Sequence, residues 1–157
     1  MIKKTNAARL LDTLKLPYTM SSYEIDEDNL SGTHVAQVLG VSSDIVFKTL
    51  VARTDAKQII VACIPSSKEI NLKALAQSAK AKRCELIAVK ELLGLTGYIR
   101  GGCSPLAMKK HYPTFIDNSA LSHETIYVSA GIRGVQLVLQ PSHLIQASQA
   151  LCADIAH

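Results

Sequence analysis

Two β-branched runs follow each other closely in the chain, Ile45 to Arg53 and Gln58 to Pro65, separated only by Thr54-Asp55-Ala56-Lys57. Runs of this length, rich in valine and isoleucine, read as strands, and so short a polar connection folds them into a hairpin. A hairpin in the middle of the chain favours antiparallel or mixed pairing over a strict alternation of strand and helix. The second run contains the longest apolar stretch, Ile59 to Ile64. That is strand length, far below the roughly 18 apolar residues of a membrane helix.

Elements on either side fit around this hairpin. Ala7, Leu10, Leu11 and Leu14 recur at helical spacing, with Thr5 or Asn6 as the cap and Pro17 as the stop. Tyr18 to Ile25 reads as a strand ending in an acidic turn, and Thr33 to Leu39 as a short helix stopped by Gly40. Asn71 caps a helix running to Lys80, and Cys84 to Ile87 is a brief strand before a helix over Val89 to Leu93. Ile126 to Ser129 and Val135 to Gln140 are strands, and Pro141-Ser142 starts a final helix over Leu144 to Ala153. The expectation is a single compact α+β domain over residues 1–157. It has one mixed, mostly antiparallel sheet of about six strands, or a partly closed barrel, with flanking helices.

The 157 residues suffice for one ordinary domain with a real core, and 48% of them are hydrophobic. The N-terminus is basic but leads into no long apolar segment, so no secretory signal is expected. Cys63, Cys84, Cys103 and Cys152 are widely and irregularly spaced. That argues against a structural zinc site and against a disulfide framework, and it fits reduced thiols in the cytoplasm. No metal, cofactor or membrane partner is expected. The net charge of +4 is mild. Its distribution is uneven: acids crowd into Glu24, Asp26, Glu27 and Asp28, and bases gather at Lys80, Lys82, Arg83 and at Arg100, Lys109, Lys110. A basic face can meet phosphates, and it can equally be ordinary solvated surface.

The standard catalytic signatures are absent: no Gly-x-Ser-x-Gly elbow, no Walker loop, no His-Glu-x-x-His, no dinucleotide fingerprint. Four local features remain. Lys48 lies inside the apolar run Ile45-Val46-Phe47-Lys48-Thr49-Leu50-Val51-Ala52. Such a lysine either points to solvent by strand alternation or needs a partner. Thr96 to Pro105 holds three glycines and a proline. It is either a tight connection or a loop whose amides meet a ligand. Val128 to Val135 runs a strand into small residues and two glycines, as a hairpin turn or a pocket wall. Tyr23 is core packing or a pocket rim. Cys103 lies in the glycine loop, but no histidine adjoins it, so a nucleophilic role is disfavoured.

Taken together, these segments resemble the YbaK family, from about Ala7 to Ile155. The resemblance rests on Lys48-Thr49-Leu50-Val51, on Thr96-Gly97-Tyr98 followed by Gly101-Gly102-x-Ser104-Pro105, and on Tyr127-Val128-Ser129-Ala130-Gly131-x-Arg133-Gly134. It implies a mixed α/β fold related to the editing domain of bacterial prolyl-tRNA synthetases. It also implies free-standing deacylation of misacylated tRNA, with the tRNA 3′ end as ligand and prolyl-tRNA synthetase as a transient partner. Threonine after Lys48 is similar to the branch that removes cysteine from proline tRNA. An alanine- or serine-directed editor, or a module that binds aminoacyl-adenosine without cleaving it, are the alternatives.

The resemblance further implies that Lys48 and the amides of Gly101 and Gly102 do the catalytic work. Tyr23, Phe47, Thr49, Pro105, Ser129, Ala130 and Gly131 would line the substrate pocket. In that branch the substrate's own thiol is the nucleophile. Cys103, Ala130 and Gln136 depart from the family pattern, where an aliphatic residue, a glycine and in some relatives an aspartate stand.

Overall fold

The computed structural model describes residues 3–157. The Thr5 hydroxyl accepts the N–H of Ala8 at 3.2 Å and opens α1 (Asn6–Thr13), whose Ala7, Ala8 and Leu11 are buried. Strand β1 (Thr19–Ser22) follows. Ser31 caps α2 (Gly32–Leu39) through the N–H of His34 at 3.2 Å, and Gly40 ends it. The hairpin expected from the sequence is β2 (Phe47–Thr54) and β3 (Ile59–Pro65). Asn71 caps α3 (Leu72–Ser78); β4 (Cys84–Leu86) and α4 (Val89–Thr96) come next. The remaining elements are β5 (Thr114–Asp117), a 3-10 turn (Asn118–Ser122), β6 (Ile126–Ser129), β7 (Val135–Leu139), α5 (Pro141–Ser148) and β8 (Leu151–Ala153).

The α+β class holds, but the strands form two sheets rather than one, and no barrel closes. One sheet has the order β1-β7-β6 and is antiparallel throughout. The other has the order β4-β2-β3-β5-β8. Its β4-β2-β3 part is antiparallel, and β5 and β8 add to it in parallel. A parallel bridge between Val46 and Tyr127 joins the sheets, with the N–H of Tyr127 donating to the carbonyl of Ile45 at 2.8 Å.

Alternation along the hairpin sorts the core. Ala52, Ile60, Ala62 and Ile64 face Leu75 of α3, together with Phe115 and Ile155. Phe47 and Cys63 face the opposite way, into a cluster with Leu11, Val128, Leu137 and Leu144 that packs α1, α5 and the three-stranded sheet together. Val51 and Val61 lie on that face too, under Leu92 of α4 and Cys103.

Two expectations fail at the C-terminal end. The last helix was expected to reach Ala153; it stops at Ser148 because Gln149 takes a left-handed conformation (φ 57°), and the next residues turn back as β8. Strand β5 was not anticipated. It is only four residues long, and its signal is parallel pairing with distant segments, which local patterning does not carry.

Asp117 fastens this end. It is buried, and its carboxylate accepts the N–H of Ile155 at 3.1 Å, the N–H of Ser119 at 3.2 Å and the hydroxyl of Ser119 at 2.5 Å. His157 and Glu69 then exchange a pair of backbone hydrogen bonds, both at 2.9 Å. Asp117→Ala strands buried donors and should cost about 2–3 kcal/mol of stability. A urea midpoint equal to wild type would show that the anchor is dispensable.

Candidate active site

The cavity follows from where pairing stops. In β2 the carbonyl of Val51 accepts from Ile87 and the N–H of Asp55 donates to Arg83, while the N–H of Thr54 donates to Gln58. Odd-numbered residues therefore aim their backbone groups toward the β4 edge, and even-numbered ones toward β3. Strand β4 pairs only with Ala52 to Thr54. On the other side of the opening, β6 meets Val46, the residue just before β2, at the Val46–Tyr127 bridge, and among the described residues its ladder goes no further. Among the described residues no strand pairs with the edge between, and the N–H and C=O of Thr49 are directed into the gap.

That gap is a cavity of about 390 Å³. Phe47, Lys48, Thr49 and Leu50 of β2 form one wall. Ser129 at the end of β6, Gln136 of β7 and Tyr23 just after β1 form the second. The segment Asp28 to Gly32, with Val35 of α2, closes a third side. Arg100, Gly101 and Cys103 close the fourth. The last two sides touch: a side chain added at Gly101 would meet Leu30 at 3.3 Å.

The three motif segments thus converge, though not every residue in them reaches the wall. Tyr23, Phe47, Lys48, Thr49, Gly101 and Ser129 do. Gly102, Pro105, Ala130 and Gly131 do not. Gly102 was expected to offer its amide, but that N–H already donates to the carbonyl of Ile99 at 2.9 Å. Its role here is spacing: a Cβ at this position would lie 3.0 Å from the backbone N of Arg133 and 3.1 Å from the carbonyl carbon of Ile132. Pro105 and Ala130 are buried beneath the surface of the site. Gly131 packs against Tyr98 and gives its N–H to the Ser129 hydroxyl at 3.1 Å, which orients that side chain. The N–H groups of Gly101 and Cys103 have no hydrogen-bond partner among the described residues.

Sequence reasoning did not select Asp28, Asn29, Leu30, Ser31, Gly32, Val35, Leu50, Arg100, Cys103 and Gln136 as pocket residues. Arg100 and Asp28 had been noted as members of charged clusters, and the clusters alone carried no address.

Lys48 is partly exposed and, among the described residues, lies in no ion pair; the two present, Lys4–Asp12 at 2.6 Å and Arg53–Glu91 at 2.8 Å, are elsewhere. Its ammonium is available to a ligand. Gln136 is buried, neutral, and its Oε1 has no partner among the described residues. Burial pushes the Cys103 thiol up to about 12. Burial does the same to Cys63, to about 12, with the Cys103 charge adding to it and the Thr49 hydroxyl at 3.9 Å opposing it. Both thiols stay protonated across the neutral range, so neither is a ready nucleophile. Among the described residues no histidine lines the cavity, and no group of three or more His, Cys, Asp or Glu residues is placed to hold a metal ion.

Thiol labelling at pH 8 checks this picture. Cys152 is exposed and should react with a soluble disulfide reagent in the folded protein, while Cys63 and Cys103 should react only on unfolding. Labelling of Cys103 as fast as Cys152 would contradict it.

Comparison with known proteins gives a consistent assignment. Residues 30–147 match the family model of the aminoacyl-tRNA editing domain. An Enterococcus faecalis protein with the provisional name Cys-tRNA(Pro)/Cys-tRNA(Cys) deacylase EbsC is 40% identical over 153 residues, covering 98% of this chain and 93% of its own. The uncharacterised protein YwhH of Bacillus subtilis is 24% identical over 125 residues, covering 80% of this chain and 79% of its own. The crystal structure of a hypothetical protein superposes with a TM-score of 0.89 at 24% identity, over 98% of this chain and 100% of that one. A provisional trans-editing enzyme for prolyl tRNA synthetase superposes at 0.83 and 17% identity, over 99% of each chain. These two structures speak for the fold, and the sequence matches carry the assignment: the chain belongs to the aminoacyl-tRNA editing domain family.

Proposed function

We propose that this protein is a free-standing deacylase that removes cysteine mischarged onto proline tRNA, and that it acts on cysteinyl-tRNA more widely. The observation that carries the reading is the cavity itself. It joins an unpaired lysine to backbone amides and small polar groups, and among the described residues it holds no histidine beside a nucleophile. An ester activated by its ribose leaving group needs positioning and oxyanion stabilisation more than it needs a protein nucleophile. The E. faecalis relative, 40% identical over almost the whole chain, bears the name of that activity.

In this mechanism the 3′-terminal adenosine enters along the open edge of β2. Lys48 donates a charge-assisted hydrogen bond to a phosphate or ribose oxygen. The N–H groups of Gly101 and Cys103 meet the carbonyl oxygen as it gains negative charge. They take the place of the Gly102 amide, which is engaged with Ile99. Tyr23, Phe47 and Ser129 enclose the amino-acid side chain. The sulfur of the bound cysteine bonds to its own carbonyl carbon, the bond from that carbon to the ribose oxygen breaks, and the thiol proton ends on the ribose hydroxyl. The products are a cyclic thioester and free tRNA. A synthetase pocket separates two small side chains by only about 1–3 kcal/mol, so a second check on the product has value. We place that check in the cytoplasm, in transient complex with prolyl-tRNA synthetase, which would supply the choice of tRNA.

Deacylation of a panel of cysteinyl-, alanyl- and seryl-tRNA tests the reading. Cysteinyl-tRNA should be cleaved fastest, and seryl-tRNA far more slowly because a hydroxyl is the weaker internal nucleophile. Lys48→Ala should remain folded and lose about 10²–10³ in rate, the usual cost of one contact made in the transition state. Cys103→Val should stay active, since the thiol that reacts belongs to the substrate. Equal rates on cysteine and serine would point to attack by water. A folded, fully active Lys48→Ala would remove the lysine from the mechanism.

A further inference from the structure

The rim of the cavity is electrostatically lopsided. On the side of the loop after β1, Glu24, Asp26, Glu27 and Asp28 are all exposed, and among the described residues none of them is in an ion pair. Next to that loop, where Leu30 lies against Gly101 and Ile25 against Gly134, stands exposed Arg100, and the Nε of Arg133 donates to its carbonyl at 2.8 Å. Beyond these two arginines the molecule has a second hollow, of about 460 Å³, lined by Lys3, Lys4, Arg9, Tyr98, Gly131 and Ile132 among others. Lys109 joins the same border: it is exposed, its N–H donates to Thr96 at 3.0 Å, and its side chain lies along Gly97, which also lines the hollow.

Cavity and hollow back onto the same pair of loops. Tyr98 faces the hollow and Arg100 the cavity; Gly131 faces the hollow and Ser129 the cavity. Two residues of extended chain span at most about 7 Å, so only a thin ridge separates the two depressions. The other basic cluster, Lys80 to Arg83, is held at the far end of β2, where Asp55 accepts the N–H groups of Lys82 and Arg83. It is about 20 Å along the strand from Lys48 by strand rise.

We propose that the strip running from Arg100 and Arg133 across this ridge to Lys109, Lys3 and Arg9 is the track for the phosphates of a double-helical RNA stem whose single-stranded 3′ end occupies the cavity. The proposal rests on the deacylase reading, and adds to it the direction in which the tRNA leaves the site. The acidic loop repels a polyanion, and the basic strip starts beside it at Arg100 on the cavity wall and leads over the ridge to the second hollow. Phosphate contacts fix orientation without reading sequence, which suits an enzyme that leaves tRNA selection to a partner.

The test uses the full chain with Lys3→Glu, Arg9→Glu and Lys109→Glu combined, none of which lines the cavity. A matched control carries Lys82→Glu and Arg83→Glu. Binding of an uncharged acceptor-stem minihelix, followed by fluorescence anisotropy over a salt series, should weaken at least about tenfold for the triple variant. The slope of log affinity against log salt should flatten by about 2–3, one unit or slightly less per lost phosphate contact. The control should behave as wild type. In the activity arm, KM on a cysteinylated minihelix should rise, while the rate on 3′-cysteinyl-adenosine alone stays unchanged.

Minihelix binding by the triple variant equal to wild type, or equal loss in the control, overturns the track. So does an equal loss on the minimal adenosine substrate, which would locate the damage in the cavity. A wild-type protein inactive on both substrates would overturn the deacylase reading, and the anisotropy arm would still decide on the track.

Discussion

A parallel bridge at Val46 and Tyr127 joins the two sheets by backbone pairing, and among the described residues the ladder goes no further between β2 and β6. Had β6 continued beside β2, the ladder would have filled the space that is now the cavity. Had it not met β2 at all, the two walls would have no fixed spacing. The site therefore depends on a pairing that begins and then ends. Both outcomes are set by neighbours, because β4 reaches only the far half of β2 and β7 holds β6 in the other sheet. A strand edge inside a pocket is an economical binding surface, since its N–H and C=O groups stand at fixed spacing on a rigid element.

The central hairpin was legible because both of its strands are long, β-branched and close in sequence. So were the helices that Thr5 and Asn71 cap, while the helix over Thr33 to Leu39 was legible from its Gly40 stop and its cap, Ser31, was not read. Strands β5 and β8 were not legible, because each is short and is defined by a parallel neighbour far away in the chain. The site divides in the same way. Lys48, Gly101 and Ser129 stand out as residues that are unusual where they occur. Leu30, Val35 and Leu50 are ordinary apolar residues, and only the closure of the Asp28–Gly32 segment over Gly101 gives them a role. Gly102 shows the limit most clearly. The pattern marks it as special, and the coordinates change the reason, from a donor to a spacer between two loops.

The interior chemistry is quiet. Two cysteines sit in or next to the site, and burial keeps both protonated. Ser129 has its oxygen occupied by the amide of Gly131, and Gln136 carries no charge. Neither thiol is ionised, and among the described residues lining the pocket no imidazole stands beside a nucleophile, which is why the proposed mechanism takes its nucleophile from the substrate.

Residues 155–157 are structural keystones. Ile155 is fully buried against Leu75 and Phe115, its amide is held by Asp117, and His157 is pinned to Glu69. The layer that Ile155 completes forms only once β8 lies beside β5, so the apolar faces of Leu75 and Phe115 stay uncovered until then. A chain caught before that step presents bare apolar sheet surface, the kind through which folding intermediates aggregate.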